Sequence, residues 1–170
     1  MTTIAVFGCG FVGSTIVNFL VDGGIDVIKV DPKLYPETDP RESAMNADGV
    51  VICVPTPSKQ DGSCDDKHIK DVLELCDQRT KILLKCSVTS DLLESYDANV
   101  IYNPEFLRER YAETDFASQP VQVFGHHMNN KEDAMWWAEI FANIHLDPIE
   151  TVYTNRQTAS MIKYVHNAFL

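Results

Sequence analysis

The stretch GCGFVG, residues 8–13, has glycine at its first, third and sixth positions. This spacing lets backbone N–H groups close around an anion. Gly8 permits a tight turn, Gly10 lets a ligand approach the main chain, and Gly13 lets a following helix pack closely on the preceding strand. Phe11 and Val12 occupy the variable positions. Alone the pattern is weak. Here an apolar run precedes it, a helical pattern follows it, and Asp31 closes the next apolar run. A carboxylate at that place accepts hydrogen bonds from a ribose 2′-OH and repels a 2′-phosphate. The context therefore predicts a dinucleotide site that favours NAD over NADP. Lys33, two residues on, either softens that repulsion or lies in solvent. The plainer alternative is a glycine turn between strand and helix with no ligand.

Three further groups have types suited to chemistry. Glu105 lies in NPEF, behind Pro104 and before Phe106 and Leu107, where a carboxylate is partly desolvated. Lys163 and Asn167 stand at i and i+4, on one face of a helical pattern. Ser87 offers a hydroxyl just beyond an apolar run. Each also has a bland reading, as a solvated loop or helix-surface residue.

These residues need elements to place them. Segment 3–8 is a short β-branched run ending in glycine, a buried strand. Residues 11–24 switch to helical period through Val12, Ile16, Phe19 and Leu20, and close at Gly23–Gly24. Strands are expected at 26–31, 49–55, 81–88, 99–104, 121–125 and 148–153. Helices are expected after the Pro-rich loop 31–40, at 65–78 and at 130–144. Strands alternating with helices imply crossover connections, hence an α/β, doubly wound, mainly parallel sheet with helices on both faces. Segment 103–120 reads as a long loop without periodicity, and loops of that length are usually functional. A last helix follows TNRQ, residues 154–157, read as a capping box with Thr154 at the N-cap and Gln157 reaching back. Ala159, Ile162, Val165 and Phe169 mark its expected buried side. The closing MIKYVHNAFL shows no helix stop, so the division expected is a dinucleotide-binding domain at 1–154 and, at 155–170, the start of a helix leading into a further region.

Composition narrows the class. The chain has 170 residues, enough for one domain with a proper core, and a net charge of −11. Its lysines and arginines are scattered, which argues against nucleic acid or anionic membrane as partners. No apolar run approaches the ~18 residues that span a bilayer, and the N-terminal stretch lacks a signal-peptide pattern. The five cysteines, Cys9, Cys53, Cys64, Cys76 and Cys86, are odd in number and form no CxxC pair. A reducing compartment, the cytoplasm by default, is expected, with no structural metal.

Two segments make this reading more specific: ADGVVICVPTPSKQDGSCD at 47–65 and NPEFLRERYAETDFASQPVQVFG at 103–125. With the closing IKYVHNAFL they resemble the UDP-glucose/GDP-mannose dehydrogenases, in order, over essentially the whole chain. The resemblance implies oxidation of the C6 alcohol of a nucleotide sugar to a carboxylate with two NAD+, through a thiohemiacetal and a thioester on a cysteine. By the same resemblance Val54, Pro55 and Thr56 line the NAD site. Ser87 stands in KCSVT, where the family has KSTVP, and orients the hydrolytic water or touches the nicotinamide ribose. Glu105 assists thioester hydrolysis, Phe106, Leu107 and Arg108 contact the sugar nucleotide, and Glu109 lies near the cofactor. Lys163 and Asn167 stabilise the oxyanion of the tetrahedral intermediates and touch substrate. Arg110 stands where glycine is usual, and His166 where small residues are common. The nucleophilic cysteine is expected in a region following this chain. The chain would then be the N-terminal half of such an enzyme, partnered by a C-terminal half or a homodimer mate. Of the local cysteines, Cys86 is the nearest substitute, and an inert core role is expected for it. UDP-glucose is the commonest substrate of the family. GDP-mannose and UDP-N-acetyl sugars stay open. The alternative is a stand-alone, non-catalytic NAD-binding module.

Overall fold

The computed structural model describes residues 2–145 and 148–169. The first apolar run becomes a strand covered on both faces: Ile4, Ala5 and Val6 have no exposed surface, as the central strand of a parallel sheet requires. The elements follow in alternation. They are β1 (Thr3–Phe7), α1 (Phe11–Asp22), β2 (Asp26–Val30), α2 (Pro40–Asn46), β3 (Gly49–Ile52), α3 (Lys67–Leu73), β4 (Lys81–Leu84) and α4 (Ser90–Ser95). Then come β5 (Val100–Tyr102), a 3-10 turn (Glu109–Tyr111), α5 (Ala112–Ala117), β6 (Val121–His126), α6 (Lys131–Ile144), β7 (Glu150–Asn155) and α7 (Arg156–Ala168).

The strands form one sheet in the order β2-β1-β3-β4-β5-β6-β7. All neighbours are parallel except β5 and β6, which meet antiparallel at Tyr102 and Gly125. Successive side chains point to opposite faces, and two cores result. Ala5, Phe7, Ile52 and Leu84 pack with Ala44 of α2, Ile69 of α3, Leu93 of α4 and Ala159 of α7. Ile4, Val6, Val51 and Leu83 pack with Ile16 of α1, Phe116 of α5 and Trp137 of α6. The order reverses between β1 and β3, and ligands of open α/β sheets bind outside the carboxyl ends at such a point.

Four expectations are corrected. Segment 103–120 is not structureless: it holds the 3-10 turn and α5, because Phe116 is buried and packs 4.5 Å, centroid to centroid, from Phe19. The fourth strand stops at Leu84, so Lys85 and Cys86 lie beyond it, at the carboxyl edge. The cap of α7 is Asn155, whose side chain accepts from Thr158 N–H at 2.7 Å, while Thr154 remains in β7. The buried face of α7 is Arg156, Ala159, Ser160 and Lys163, whereas Val165 is 47% and Phe169 87% exposed. Close approach of α7 to β6 sets that rotation: a Cβ on Gly125 would lie 2.7 Å from Ala159 Cβ. α4 is a short element that the sequence pattern did not announce. Its C-terminal carbonyls are met by Arg156, which is 1% exposed and donates to Leu93 O and Tyr96 O at 3.0 Å each.

Candidate functional site

The glycine turn joins β1 to α1. Gly8 has φ of 86°, its N–H donates to Val30 O at 2.9 Å, and a Cβ there would stand 2.7 Å from Cys53 O. A Cβ on Gly13 would stand 1.9 Å from Gly8 O. Only glycine lets strand, turn and helix approach this closely. Gly10 differs: it is the N-cap of α1, no side chain caps the helix, and a Cβ there would meet nothing within 4 Å. The first turn of α1 carries no acidic residue. The helix therefore presents free N–H groups to open space, a ready anion site. Phe11 is 44% exposed at the rim, and Val12 is half-buried against the α1 core.

Asp31 follows β2 beside this turn. Its Oδ2 accepts from Cys9 N–H at 3.0 Å, and its Oδ1 from Lys33 N–H at 2.9 Å and Leu34 N–H at 3.2 Å. Burial alone would raise its pKa, but these three backbone bonds prevail and hold it below the ordinary value. The carboxylate is thus fixed and ionised at the carboxyl end of the sheet. Lys33 contributes its main-chain N–H, and its side chain is exposed. Across the crevice, Val54, Pro55 and Thr56 follow β3. Thr56 Oγ1 donates to Ser87 O at 2.9 Å, which joins the edge after β3 to the edge after β4. Ser87 itself is exposed.

A second cluster lies beyond β5. Lys163 Nζ donates to Glu105 Oε1 at 2.8 Å and to the Glu105 carbonyl. Glu105 Oε2 accepts from Leu107 N–H at 2.7 Å. The side chains are 7% and 12% exposed, so this is a buried ion pair. The Phe106 ring lies between Lys163 Nζ, 5.6 Å from its centroid, and the His166 ring at 4.6 Å. Leu107 packs into the core under α1 and α6. Arg108 turns to solvent, where its Nη2 and Nε meet Asp115 at 2.7 and 3.0 Å and its guanidinium lies 4.8 Å from the Tyr111 ring centroid. That bond holds the Asp115 carboxyl at about 2. Glu109 and Asn167 are exposed. Of the residues singled out in this part of the chain, the fold thus brings Glu105, Phe106 and Lys163 together. Arg108 and Glu109 stand at the surface, and Asn167 stands one turn past Lys163.

Residues 32–145 match the model of the UDP-glucose/GDP-mannose dehydrogenase family, NAD binding domain. The chain belongs to this family. The match begins after Asp31, so the glycine turn is an observation independent of it. The UDP-glucose 6-dehydrogenase of Rickettsia conorii is 37% identical over 138 residues, which are 74% of this chain and 31% of that protein. The UDP-glucose 6-dehydrogenase AglM of Haloferax volcanii is 27% identical over 98% of this chain and 51% of its own length. A GDP-mannose dehydrogenase structure from Pseudomonas aeruginosa superposes with a TM-score of 0.85 at 24% identity, covering 98% of this chain and 49% of that one; it shows the same fold. The chain spans about a third to a half of the length of these relatives.

The cofactor of this family domain is NAD. The residues present fit it: open space over Gly10, free donors at the start of α1, and a fixed carboxylate at Asp31 beside them. The five cysteines are free thiols. Burial raises all five, Cys53 to about 12, Cys76 to about 11 and Cys86 well above its ordinary value. Cys86 Sγ donates to Val54 O at 3.1 Å, on the opposite face from Lys85. Lys85 is not among the residues that the sequence singles out. The structure buries it, 4% exposed, with its ammonium on Asn103 Oδ1. The available signal was a lysine directly after the apolar run Ile82–Leu84, on the same face as the buried Leu83.

Proposed function

We propose that this chain supplies the NAD-binding and acid–base part of a nucleotide-sugar 6-dehydrogenase, with UDP-glucose the substrate tested first. The buried Glu105–Lys163 pair carries the reading. An ion pair with so little exposure is costly to assemble, and it stands beyond the carboxyl ends of the strands, where the cofactor domain receives its ligands.

The parts divide as follows. Gly8, Gly10 and Gly13, with Phe11 and Val12 at the rim, hold the pyrophosphate on backbone N–H groups. Asp31 takes the ribose hydroxyls, and Val54, Pro55 and Thr56 line the nicotinamide side. NAD, when bound, supplies the hydride acceptor. An ammonium has three donors. Lys163 gives two to Glu105, and the third is free for an oxygen on which negative charge develops. Asn167 adds an amide donor from the same helix. Each Glu105 oxygen accepts one hydrogen bond within the protein and keeps a lone pair for a water proton, as thioester hydrolysis requires. Ser87 orients that water. Phe106 and Arg108 present the sugar nucleotide with one apolar and one cationic surface, and Glu109 borders the cofactor. The thiolate comes from outside the five cysteines of this chain, each of which burial makes harder to ionise.

The test uses the intact native protein that carries this sequence. Two NADH formed per UDP-glucose consumed, with NAD+ bound more tightly than NADP+, supports the proposal. A Glu105→Gln variant is then expected to lose turnover at least about a hundredfold with NAD+ affinity preserved. The protonated cysteines favour one second reading, a non-catalytic NAD-binding module. NAD+ binding without NADH formation from UDP-glucose, GDP-mannose or a UDP-N-acetyl sugar establishes that reading instead.

A further inference from the structure

Lys85 enters the core beneath α6, with its ammonium 5.1 Å from the centroid of the Phe141 ring. Among the described residues, no carboxylate lies within ion-pair distance of it. A buried cation on one neutral acceptor is unfavourable, and burial pushes its pKa down to about 8. An aliphatic side chain would fill this space at lower cost, so the ammonium is distinguished by what it holds.

It heads a chain of side-chain amides. Asn103 has no exposed surface, and its Nδ2 donates to Gln122 Oε1 at 2.9 Å and to Val123 O at 2.7 Å. Gln122 Nε2 donates to Gln119 Oε1 at 3.1 Å, and Gln119 Nε2 to Val121 O at 2.8 Å. Asn103 is the first residue after β5, and Gln119 lies just before β6. The two ends of segment 103–120 are therefore tied to each other. Glu105 is two residues from Asn103, across Pro104, whose ring fixes one backbone angle.

We propose that Lys85 is a positioning residue: through Asn103, Gln122 and Gln119 it fastens both ends of segment 103–120 and so holds the Glu105 carboxylate against Lys163. The catalytic consequence rests on the function proposed above; the positioning does not. The charged and titratable groups facing Lys85 are Cys53 after β3, Glu105, Lys163 of α7 and His145 after α6. Burial raises Cys53 to about 12 and lowers His145, so neither changes charge near pH 8.

The test uses the isotopically labelled full chain. The Leu107 amide, which donates to Glu105 Oε2, reports the positioned carboxylate, and the Val51 amide in β3 reports global opening. In Lys85→Met, Leu107 is expected to lose protection about tenfold beyond any change at Val51, with the NAD+ dissociation constant within about twofold of the parent. In the unmodified chain the Glu105 13Cδ resonance is expected to step near pH 8 as Lys85 loses its proton, a signature absent from Lys85→Met. If Lys85→Met does not fold, that titration and the Leu107 exchange of Gln119→Ala, at the outer link, take its place. Equal changes at Leu107 and Val51, in either variant, overturn the proposal. Lost Leu107 protection in the variant, together with no nucleotide-sugar turnover by the parent protein, supports the positioning and removes the catalytic reading.

Discussion

Two stretches of one sheet edge handle charge by different means. After β1 and β2 the work is done by main chain: the free N–H groups at the start of α1 face open space, and Asp31 is held by three backbone N–H bonds. After β4 and β5 it is done by side chains from distant parts of the sequence. Lys163 reaches Glu105 across 58 positions, and Lys85 reaches Asn103 across 18. The first region is fixed by close backbone contact at Gly8 and Gly13. The second is rigid only while each partner of its network is present. Substitutions should therefore act locally and steeply in the first region and through networks in the second.

The largest effect is expected at the turn. Gly13→Val would press its side chain into the Gly8 carbonyl, so the turn must open. NAD+ affinity is expected to fall more than about a hundredfold, read by calorimetric titration. An NAD+ affinity within tenfold of the parent would show that the turn is not the anion site. In the second region the widest network centres on Arg156, which serves carbonyls of Leu93, Tyr96 and Val100. Arg156→Met leaves these buried acceptors unmet and is expected to cost on the order of 4 kcal/mol in denaturant unfolding. The NAD+ affinity of the folded fraction should be unchanged. Loss of both together would mean that the two regions are one cooperative site.

Lys85 gives a pH signature of opposite sign to the cysteines. Its folded pKa is about 8 against an ordinary 10.5. Between those values the unfolded chain binds more protons, so stability rises with pH. The gain is about 3 kcal/mol across the window. Cysteines raised by burial lose stability as pH climbs past their ordinary 9.0. The difference between the parent and Lys85→Met isolates the lysine: it should climb from pH 8 to about 10.5, and a flat difference would place the ammonium in water.

The same contrast explains what the residues revealed in advance. The turn, Asp31, the alternation of strands and helices and the parallel sheet were legible, because each follows from local backbone needs or from apolar period. Lys85 and Asn103 were not, since nothing near KCSV announces a partner beyond β5. The rotation of α7 departs from its apolar pattern for a related reason. Val165 and Phe169 are apolar and Arg156 and Lys163 are charged, yet the charged residues are the buried ones, because carbonyls and Glu105 await them. Thr154 fits the familiar cap pattern, but strand β7 runs one residue further and hands that role to Asn155. Glu105 and Lys163 stand out by residue type and by resemblance, and only the fold supplies their contact.

The smallest effect is expected at Arg108, which joins neither mode. Its ion pair with Asp115 is at the surface, with the arginine side chain 65% exposed, where solvent and salt screen such pairs. Arg108→Ala should leave the denaturant midpoint within error. Any difference from the parent should vanish in high salt, and also as pH falls towards 2, where Asp115 takes up a proton. Asp115 engages Nε and Nη2 and leaves the Nη1 donors free, on a fork already aimed and stacked against Tyr111. A guanidinium oriented in this way loses little freedom on meeting a diphosphate. The variant is therefore expected to weaken UDP-glucose binding about tenfold while NAD+ binding stays constant. Unchanged sugar-nucleotide affinity would reduce Arg108 to a surface pair and withdraw it from the proposed substrate site.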